Sequence, residues 1–219
     1  MVVFAKRILM AMIRFHQEGK YMKLVVFNVG SALCVYAEHQ TTRIVFDIGK
    51  GNNFSPVNDF LLPLYEKRGE HRLKNRNNRY GISQLIVSHP HKDHISDIQE
   101  FDKNFYAHLL TTPNSKSPNG NPQNINWRKI TTPDDPDVKY LKRMKIGRNL
   151  PLRSFDSEHL KIGYLWPLDV ENNSELLNES YTNNVSIVSF LSFGNYRVFL
   201  PGDLQKLAMG EFLNPQIRN

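Results

Sequence analysis

Short apolar runs bounded by polar or glycine-containing breaks recur along the chain and predict β-strands. Between several of them lie stretches with apolar residues at helical spacing, so strands and helices alternate. The predicted strands span residues 24–29, 32–37, 43–47, 82–87, 106–110, 160–165, 185–193 and 196–200. The last two are joined by Gly194-Asn195, a good signal for a hairpin turn. Strands before and after helices fit layered sheets with helices outside, an α/β fold.

One helix has a clear beginning in the sequence. Ser55 and Pro56 suit the N-cap and the first helical position. The apolar residues that follow at helical spacing are Val57, Phe60, Leu61, Leu64 and Tyr65. Pro63 within this stretch predicts a kink. Further patterns predict helices at 95–101 and 137–145, and the Pro-, Asn- and Ser-rich residues 111–126 predict a long loop.

The first 21 residues are basic and apolar. They match a secretory signal poorly, because Arg14 interrupts a short apolar stretch and no small-residue cleavage site follows. The alternatives are a basic amphipathic helix at a membrane surface, a loosely packed helix, or an upstream start before a domain that begins at Met22. We therefore expect an N-terminal extension at 1–21 and one domain at 22–219. No apolar run approaches the roughly 18–20 residues of a transmembrane helix.

Composition bounds the class of protein. A length of 219 residues favours one domain, and 40% hydrophobic residues fit a folded chain rather than a disordered one. Cys34 is the one cysteine, so no internal disulfide can form, which favours a reducing, cytoplasmic compartment. A catalytic thiol is disfavoured because Cys34 lies in an apolar run with no histidine nearby.

The chain is basic, with a net charge of +7 and a pI near 9.4. Two basic clusters comprise Lys67, Arg68, Arg72, Lys74, Arg76 and Arg79, and Lys139, Lys142, Arg143, Lys145, Arg148 and Arg153. They could attract a polyanion such as nucleic acid, or they could form an ordinary solvated face. Tyr80, Trp127 and Tyr140 near the clusters could stack on bases or form edges of the core.

The segment His89-Pro90-His91-Lys92-Asp93-His94 directly follows the predicted strand at 82–87. Imidazoles and carboxylates are ligands that zinc prefers, and manganese and iron are also compatible. A residue before proline is pushed toward extended conformations, and side chains at i and i+2 of an extended segment point the same way. His89 and His91 can therefore converge on one ion. Asp93 and His94, where the chain turns into a helix, could serve a second ion.

This segment matches the HxHxDH signature of the metallo-β-lactamase fold superfamily, which the chain resembles from about residue 22 to about residue 213. Other pieces in the family's order lie at 27–32, 43–49, 183–188 and 197–203. The chain looks closest to the hydrolase domain of bacterial DNA-uptake channels (ComEC-like) and its stand-alone relatives. The resemblance implies a four-layer αββα sandwich in which two metal ions, zinc by default, activate a water for hydrolysis.

The resemblance also implies roles for individual residues. Asp203 would bridge the two ions or ligate the second. Asp47 would accept a hydrogen bond from a ligand imidazole and fix its tautomer. Asp93 would be the catalytic residue that takes up a proton as well as a ligand. Lys50 and Asn184, in segments that lie near the metals in the family, would contact the substrate.

Two of the family's histidines lack clear counterparts. The middle one could be only His108, whose strand-like surroundings suit a structural role, or His159, which precedes another predicted strand. No histidine lies between Asp203 and Asn219. The sandwich is therefore expected to be C-terminally short. Either the chain is truncated, or a water or a partner chain fills the position, or the site is weakened.

Three functions stay open at this point. The basic balance and the DNA-uptake resemblance favour a phosphodiesterase or nuclease. The same metals could instead hydrolyse a lactam, a lactone or a thioester. The third alternative is a catalytically weakened metal-binding domain that binds nucleic acid or a partner without turnover.

Overall fold

A computed structural model describes residues 10–70, 78–113, 125–144, 160–165 and 180–213. Six strands form the larger sheet, and neighbours in sequence are neighbours in the sheet. They are β1 (Met10–Gln17), β2 (Lys20–Phe27), β3 (Val35–His39), β4 (Thr42–Phe46), β5 (Tyr80–Ile86) and β6 (Phe105–Thr111). β1 to β4 pair antiparallel, whereas β5 pairs parallel with both β4 and β6.

A second, antiparallel sheet has three strands, β7 (Leu160–Leu165), β8 (Val188–Phe193) and β9 (Tyr196–Leu200). A π-helical segment, Pro56–Leu61, continues into α1 (Leu62–Lys67). The remaining helices are α2 (Lys92–Ile95), α3 (Ile98–Asn104), α4 (Pro136–Arg143), α5 (Tyr181–Asn184) and α6 (Lys206–Leu213). No helix in the described ranges is long and apolar enough to cross a membrane.

Two apolar cores lie on opposite faces of the larger sheet. On one face, residues such as Val45 and Leu85 of the sheet pack with Leu61, Phe101 and Leu141 of the helical segments. On the other face, β2 to β5 pack against β7 and β8, as the alternation of side chains along a strand requires. The mixed α/β class is therefore confirmed, and the layering is consistent with a metallo-β-lactamase-like fold. The outer helical layer of the αββα sandwich stays a prediction.

The predicted start of the helix at Ser55 is confirmed. Ser55 Oγ accepts a hydrogen bond from the backbone N–H of Asn58 at 3.0 Å, and Pro56 is the first helical residue. Pro63 lies in the first turn of α1, directly after the π-helical segment ends. The helix type therefore changes beside the proline, while the predicted kink stays a prediction.

The predicted N-terminal helix is wrong for residues 10–17, which form β1. This strand pairs with β2 along its whole length, from Met10 opposite Phe27 to Gln17 opposite Lys20. Glu18 and Gly19 at the turn have φ of 50° and 73°, the positive values that a type I′ hairpin turn needs. Residues 1–9 lie outside the described ranges, and the proposed domain boundary at Met22 stays a prediction.

The other predicted elements agree in type with the structure and differ at their ends, whereas α5 and α6 were not predicted. The predicted helix at 95–101 is divided into α2 and α3, and the predicted strand at 185–193 begins only at Val188 because α5 precedes it. Of the predicted loop at 111–126, Thr111 still belongs to β6, and residues 114–124 lie outside the described ranges.

Candidate metal centre

The HPHKDH segment lies where the chain leaves β5, at the carboxyl edge of the parallel strands. β4 ends at the same edge, which brings Asp47 beside the segment. His91 is extended, with φ −82° and ψ 147°, and α2 begins directly after it. The ring centroids of His89 and His91 are 5.1 Å apart, and those of His89 and His94 are 4.1 Å apart. The three imidazoles therefore converge, as the extended geometry before the helix predicts.

Two groups of potential ligand atoms form around this segment. His89, His91 and Asp203 make one group, and Asp93, His94 and Asp203 make the other; in each, the ligand atoms lie within 4.8 Å of one another. Asp203 belongs to both groups. All five residues that the sequence predicts as ligands are thus brought together, with one carboxylate placed between two sets of donors.

Asp203 reaches this position on a tight turn after β9. The preceding Gly202 has φ of 61°, a left-handed conformation that glycine adopts without strain. A Cβ at Gly202 would also lie 2.9 Å from both Ser88 Cβ and Ser186 Oγ, closer than real contacts allow. Only glycine fits here, and the turn holds Asp203 Oδ1 3.3 Å from His94 Nε2.

Asp47 is buried and accepts three hydrogen bonds. Its Oδ1 is 2.7 Å from the backbone N of Ser88, and its Oδ2 is 2.8 Å from both Ser88 Oγ and His94 Nδ1. Its own φ of 52° is an uncommon value for a residue other than glycine. Aspartate adopts this left-handed conformation more readily than most residues, and residues held in it cluster at functional sites.

His89 provides the strongest sign that a ligand belongs at this site. Its ring is fully buried, Nδ1 is 3.0 Å from Ser88 Oγ, and Nε2 has no hydrogen-bond partner among the described residues. Buried polar atoms in proteins are nearly always paired. A divalent cation at the first group would pair Nε2, and the mixture of imidazole and carboxylate donors suits zinc. The residues present therefore fit a metal.

The histidines of the site differ in their pKa values and therefore in their charge. Burial, reinforced by the neighbouring imidazoles, lowers the pKa of His89 well below its ordinary value, and burial also lowers the pKa of His91. Both rings are therefore neutral at physiological pH, the form that binds metal. Burial opposes protonation of His94 too, but hydrogen bonds with Asp203 and Asp47 outweigh it and raise its pKa to about 10. The hydrogen bond from His94 lowers the pKa of Asp203.

An open cleft of about 1480 Å³ lies next to the second ligand group. The loops after β2 and β4 and the beginning of α2 line it, and Asp93 is part of its wall. Lys50 also lines the cleft, with an exposed side chain. The structure therefore places Lys50 beside the candidate metal centre, as the sequence predicts, while its contact with a substrate stays a prediction.

Asn184 does not line this cleft. It is buried at 1% exposure, and its Oδ1 accepts a hydrogen bond from the backbone N–H of Gln205 at 3.2 Å. The adjacent Asn183 instead approaches His91 and acts to raise its pKa. Asn183 Oδ1 is buried without a hydrogen-bond partner in the described part of the chain. Sequence reasoning missed Asn183 and Ser88, although both adjoin residues that it singled out.

The other histidines and the cysteine lie apart from the centre. His108 is exposed on β6, with its ring 4.9 Å from that of Tyr106, which suits the structural role expected from the sequence. His159 lies outside the described residues. Cys34 is fully buried, and burial raises the pKa of its thiol well above the ordinary value. The thiol is therefore unsuited to nucleophilic attack, as expected.

Four described residues of the two basic clusters contact partners within the protein. Arg68 forms an ion pair with Glu38, and Arg79 lies 2.8 Å from Asp102. In the second cluster Lys139 lies 2.8 Å from Asp134, and the Lys142 ammonium lies over the ring of Trp127 at 5.6 Å.

The nearby aromatic residues are engaged as well. Tyr80 is 2% exposed in the core between the larger sheet and the helical segments. Tyr140 donates a hydrogen bond to Asp102 Oδ2 at 2.5 Å. Trp127 packs against the same core. These contacts favour core edges over base-stacking platforms.

Comparison with known proteins gives a distant likeness in fold. The scan against protein-family models found no match, and the search of curated proteins found none. Among solved structures, the chain is similar to AidC, a dizinc quorum-quenching lactonase in complex with a product, N-hexnoyl-L-homoserine. The sequences are 13% identical, the TM-score is 0.45, and the match covers 87% of this chain and 74% of that one.

Proposed function

We propose that the chain is a metal-dependent hydrolase with two divalent ions. His89 and His91 would hold one ion, Asp93 and His94 the other, and Asp203 would contact both. The observation that carries the proposal is the pair of ligand groups that share Asp203 and surround the unpartnered, buried Nε2 of His89. Zinc follows from the donor chemistry, with manganese and iron as compatible substitutes.

Two such ions would supply a water of lowered pKa and would polarise the bond to be cleaved. The chain itself orients the donors, since Asp47 fixes the ring of His94. Asp93 lines the cleft and is half-buried, which supports the proposal that its carboxylate takes up a proton. A substrate would enter through the cleft, with Lys50 near its polar end.

An acyl substrate, namely a lactone, a lactam or a thioester, is favoured over a phosphodiester. A polyanion would need cations that are free to replace its counterions. Arg68, Arg79 and Lys139 instead have carboxylate partners within the protein. The cleft is lined by two lysines, Lys50 and Lys92, and two aspartates, Asp59 and Asp93, together with asparagine, serine and apolar side chains. The opposite charges balance, which suits a small, weakly charged ligand better than a polyanion.

The test begins with metal. The purified protein is stripped with a chelator, reloaded with zinc, manganese or iron, and analysed for bound metal. We expect two ions per chain. The loaded protein is then assayed on a lactone, a lactam, a thioester and a phosphodiester, with expected turnover of an acyl substrate.

Two variants separate catalysis from binding. Asp93→Ala should lower turnover by about 100-fold, the range for loss of a proton acceptor, with a further loss if an ion is no longer held. Asp134→Ala is the matched control, because its carboxylate is exposed and pairs with Lys139, away from the ligand groups. Failure to bind divalent ions would overturn the proposal. Two bound ions with no turnover on any substrate would indicate a binding domain instead, and turnover of the phosphodiester alone would overturn the acyl assignment.

A further inference from the structure

Ser88 lies between the two candidate ligand groups. Its Oγ is 2.8 Å from Asp47 Oδ2 and 3.0 Å from His89 Nδ1. The same Asp47 Oδ2 is 2.8 Å from His94 Nδ1. His89 belongs to one ligand group and His94 to the other. The Ser88 hydroxyl therefore contacts the histidine of one group, the Asp47 carboxylate contacts the histidine of the other, and the two are hydrogen-bonded to each other.

The direction of each hydrogen bond follows from the protons available. An ionised carboxylate can only accept, and a hydroxyl has a single proton to donate. Ser88 O–H donates to Asp47 Oδ2, and His94 Nδ1–H donates to the same oxygen. Ser88 Oγ has then used its proton, so it can only accept toward His89, which must carry its proton on Nδ1.

This assignment explains the unpartnered atom of His89. With the proton on Nδ1, Nε2 presents a lone pair toward the first ligand group, the form that a metal ligand requires. The opposite tautomer would bury an N–H donor that has no acceptor among the described residues. The hydrogen bonds of Ser88 and the isolation of Nε2 therefore point to the same tautomer.

We propose that Ser88 is a positioning residue that, together with Asp47, fixes the tautomer of His89 and the orientation of His94 and so prepares both ligand groups for metal. This inference rests on the metal centre proposed above. Its consequence is a coupling between the groups: loss of the Ser88 hydroxyl would leave His89 without its acceptor and Asp47 without one of its donors. Affinity would then fall at both groups.

The backbone of Ser88 is held independently of its hydroxyl. Its N–H donates to Asp47 Oδ1 at 2.7 Å, and its carbonyl accepts from the N–H of Ile187 at 2.8 Å. An alanine at this position would keep both bonds and remove only Oγ. Ser88→Ala is therefore a specific test of the hydroxyl, and Ser88→Thr restores an oxygen at the same place.

The control is Ser83→Ala. Ser83 lies on β5, the strand that precedes Ser88, and its Oγ accepts a hydrogen bond from the backbone N–H of Arg43 at 3.0 Å, away from the ligand groups. The first measurement is the tautomer of His89 in the metal-free protein, by long-range ¹H–¹⁵N NMR. We expect the Nδ1–H form in the wild type, in Ser83→Ala and in Ser88→Thr, and a shift toward Nε2–H in Ser88→Ala.

The second measurement is zinc affinity by competition with a chelator. Ser88→Ala should lower affinity at both groups by about 10- to 100-fold, the usual cost of removing a partner of a ligand histidine. Wild-type affinity in Ser88→Ala, an equal loss in Ser83→Ala, or an Nε2–H tautomer in the wild type would each overturn the inference. A wild type that binds no metal would overturn the metal centre itself, and the tautomer would still decide what Ser88 does.

Discussion

A methyl group at Gly49 would strike the peptide that carries Asp93. The Cβ of an alanine there would lie 1.8 Å from the carbonyl oxygen of Asp93 and 2.9 Å from Ala32 Cβ. Real Cβ atoms essentially never approach other atoms more closely than 3.0 Å, so the Asp93 peptide would have to move by at least about 1.2 Å. That carbonyl also accepts a hydrogen bond from the N–H of Leu33 at 3.2 Å, which the movement would break.

The displaced peptide joins Asp93 to His94, two of the proposed ligands at the end of the HPHKDH segment. A misplacement of about 1 Å is enough to cost about 100-fold in a catalytic rate, and overpacking of a close contact costs about 1–3 kcal/mol of stability. We therefore expect Gly49→Ala to lower hydrolysis by about 100-fold and zinc affinity by a factor of at least about 10.

Zinc competition and urea unfolding check this expectation. The matched control is Gly163→Ala on β7, where the added Cβ would meet only Phe190 Cβ, at the ordinary distance of 3.9 Å. A Gly49→Ala protein that binds zinc and unfolds in urea as Gly163→Ala does would refute the reasoning, because it would show that the segment tolerates the displacement.

Four further expectations concern three single groups. Asp47→Asn should lower zinc affinity by about 10- to 100-fold in the same competition assay, because the amide cannot accept from all three donors. Hydrogen bonds raise the pKa of His94 to about 10, so zinc binding near neutral pH should release about one proton from this ring, measured by calorimetry in buffers of different ionisation enthalpy. For the same reason, the stability that His94 gives the metal-free protein should be complete below a pH of about 6.5 and be lost as the pH rises toward 10; a flat profile in the wild type would contradict this. Cys34 should resist thiol reagents in the folded protein and react only after unfolding, as mass spectrometry would show.

The metal centre could be anticipated from sequence where its geometry is local. Pro90 forces His89 to be extended, and the helix that begins after His91 turns the chain, so the directions of these side chains follow from neighbours. Asp47 follows a strand, and the parallel pairing of β4 with β5 brings it to the same edge. Asp203 could be placed only through the resemblance, because it arrives from the other sheet.

The predictions that failed depend on contacts distant in sequence. The helix expected at 95–101 is interrupted at Asp97, whose backbone N–H donates to the carbonyl of Ile48 at 2.8 Å. Its Oδ2 also accepts from Ser55 Oγ at 2.6 Å and from the N–H of Val57 at 3.1 Å. These partners lie some 40 residues away along the chain, and no local pattern announces them.

The N-terminal strand was missed for a related reason. Residues 10–17 have apolar residues on both faces, a pattern that a helix or a strand could satisfy. What decides in favour of β1 is its pairing with β2, together with Glu18 and Gly19 at the turn. The Glu-Gly pair was a usable turn signal, although a weaker one than the Asn-Gly or Asp-Gly pairs that mark most such hairpins.

The centre also joins the two sheets, which links metal binding to the packing of the domain. The histidines follow β5 of the larger sheet, whereas Asp203 follows β9 of the smaller one. The N–H of Ile187 donates to the carbonyl of Ser88 at 2.8 Å, and Gly202 packs directly on Ser88, so the sheets already touch behind the ligands. An ion that binds donors from both sheets would stabilise only the state in which they are docked, so stability should rise with metal concentration as linkage requires. The same coupling makes the ligand geometry sensitive to how the sheets pack. Asp203 can reach His94 only while β9 stays paired with β8 and the smaller sheet stays packed against β5.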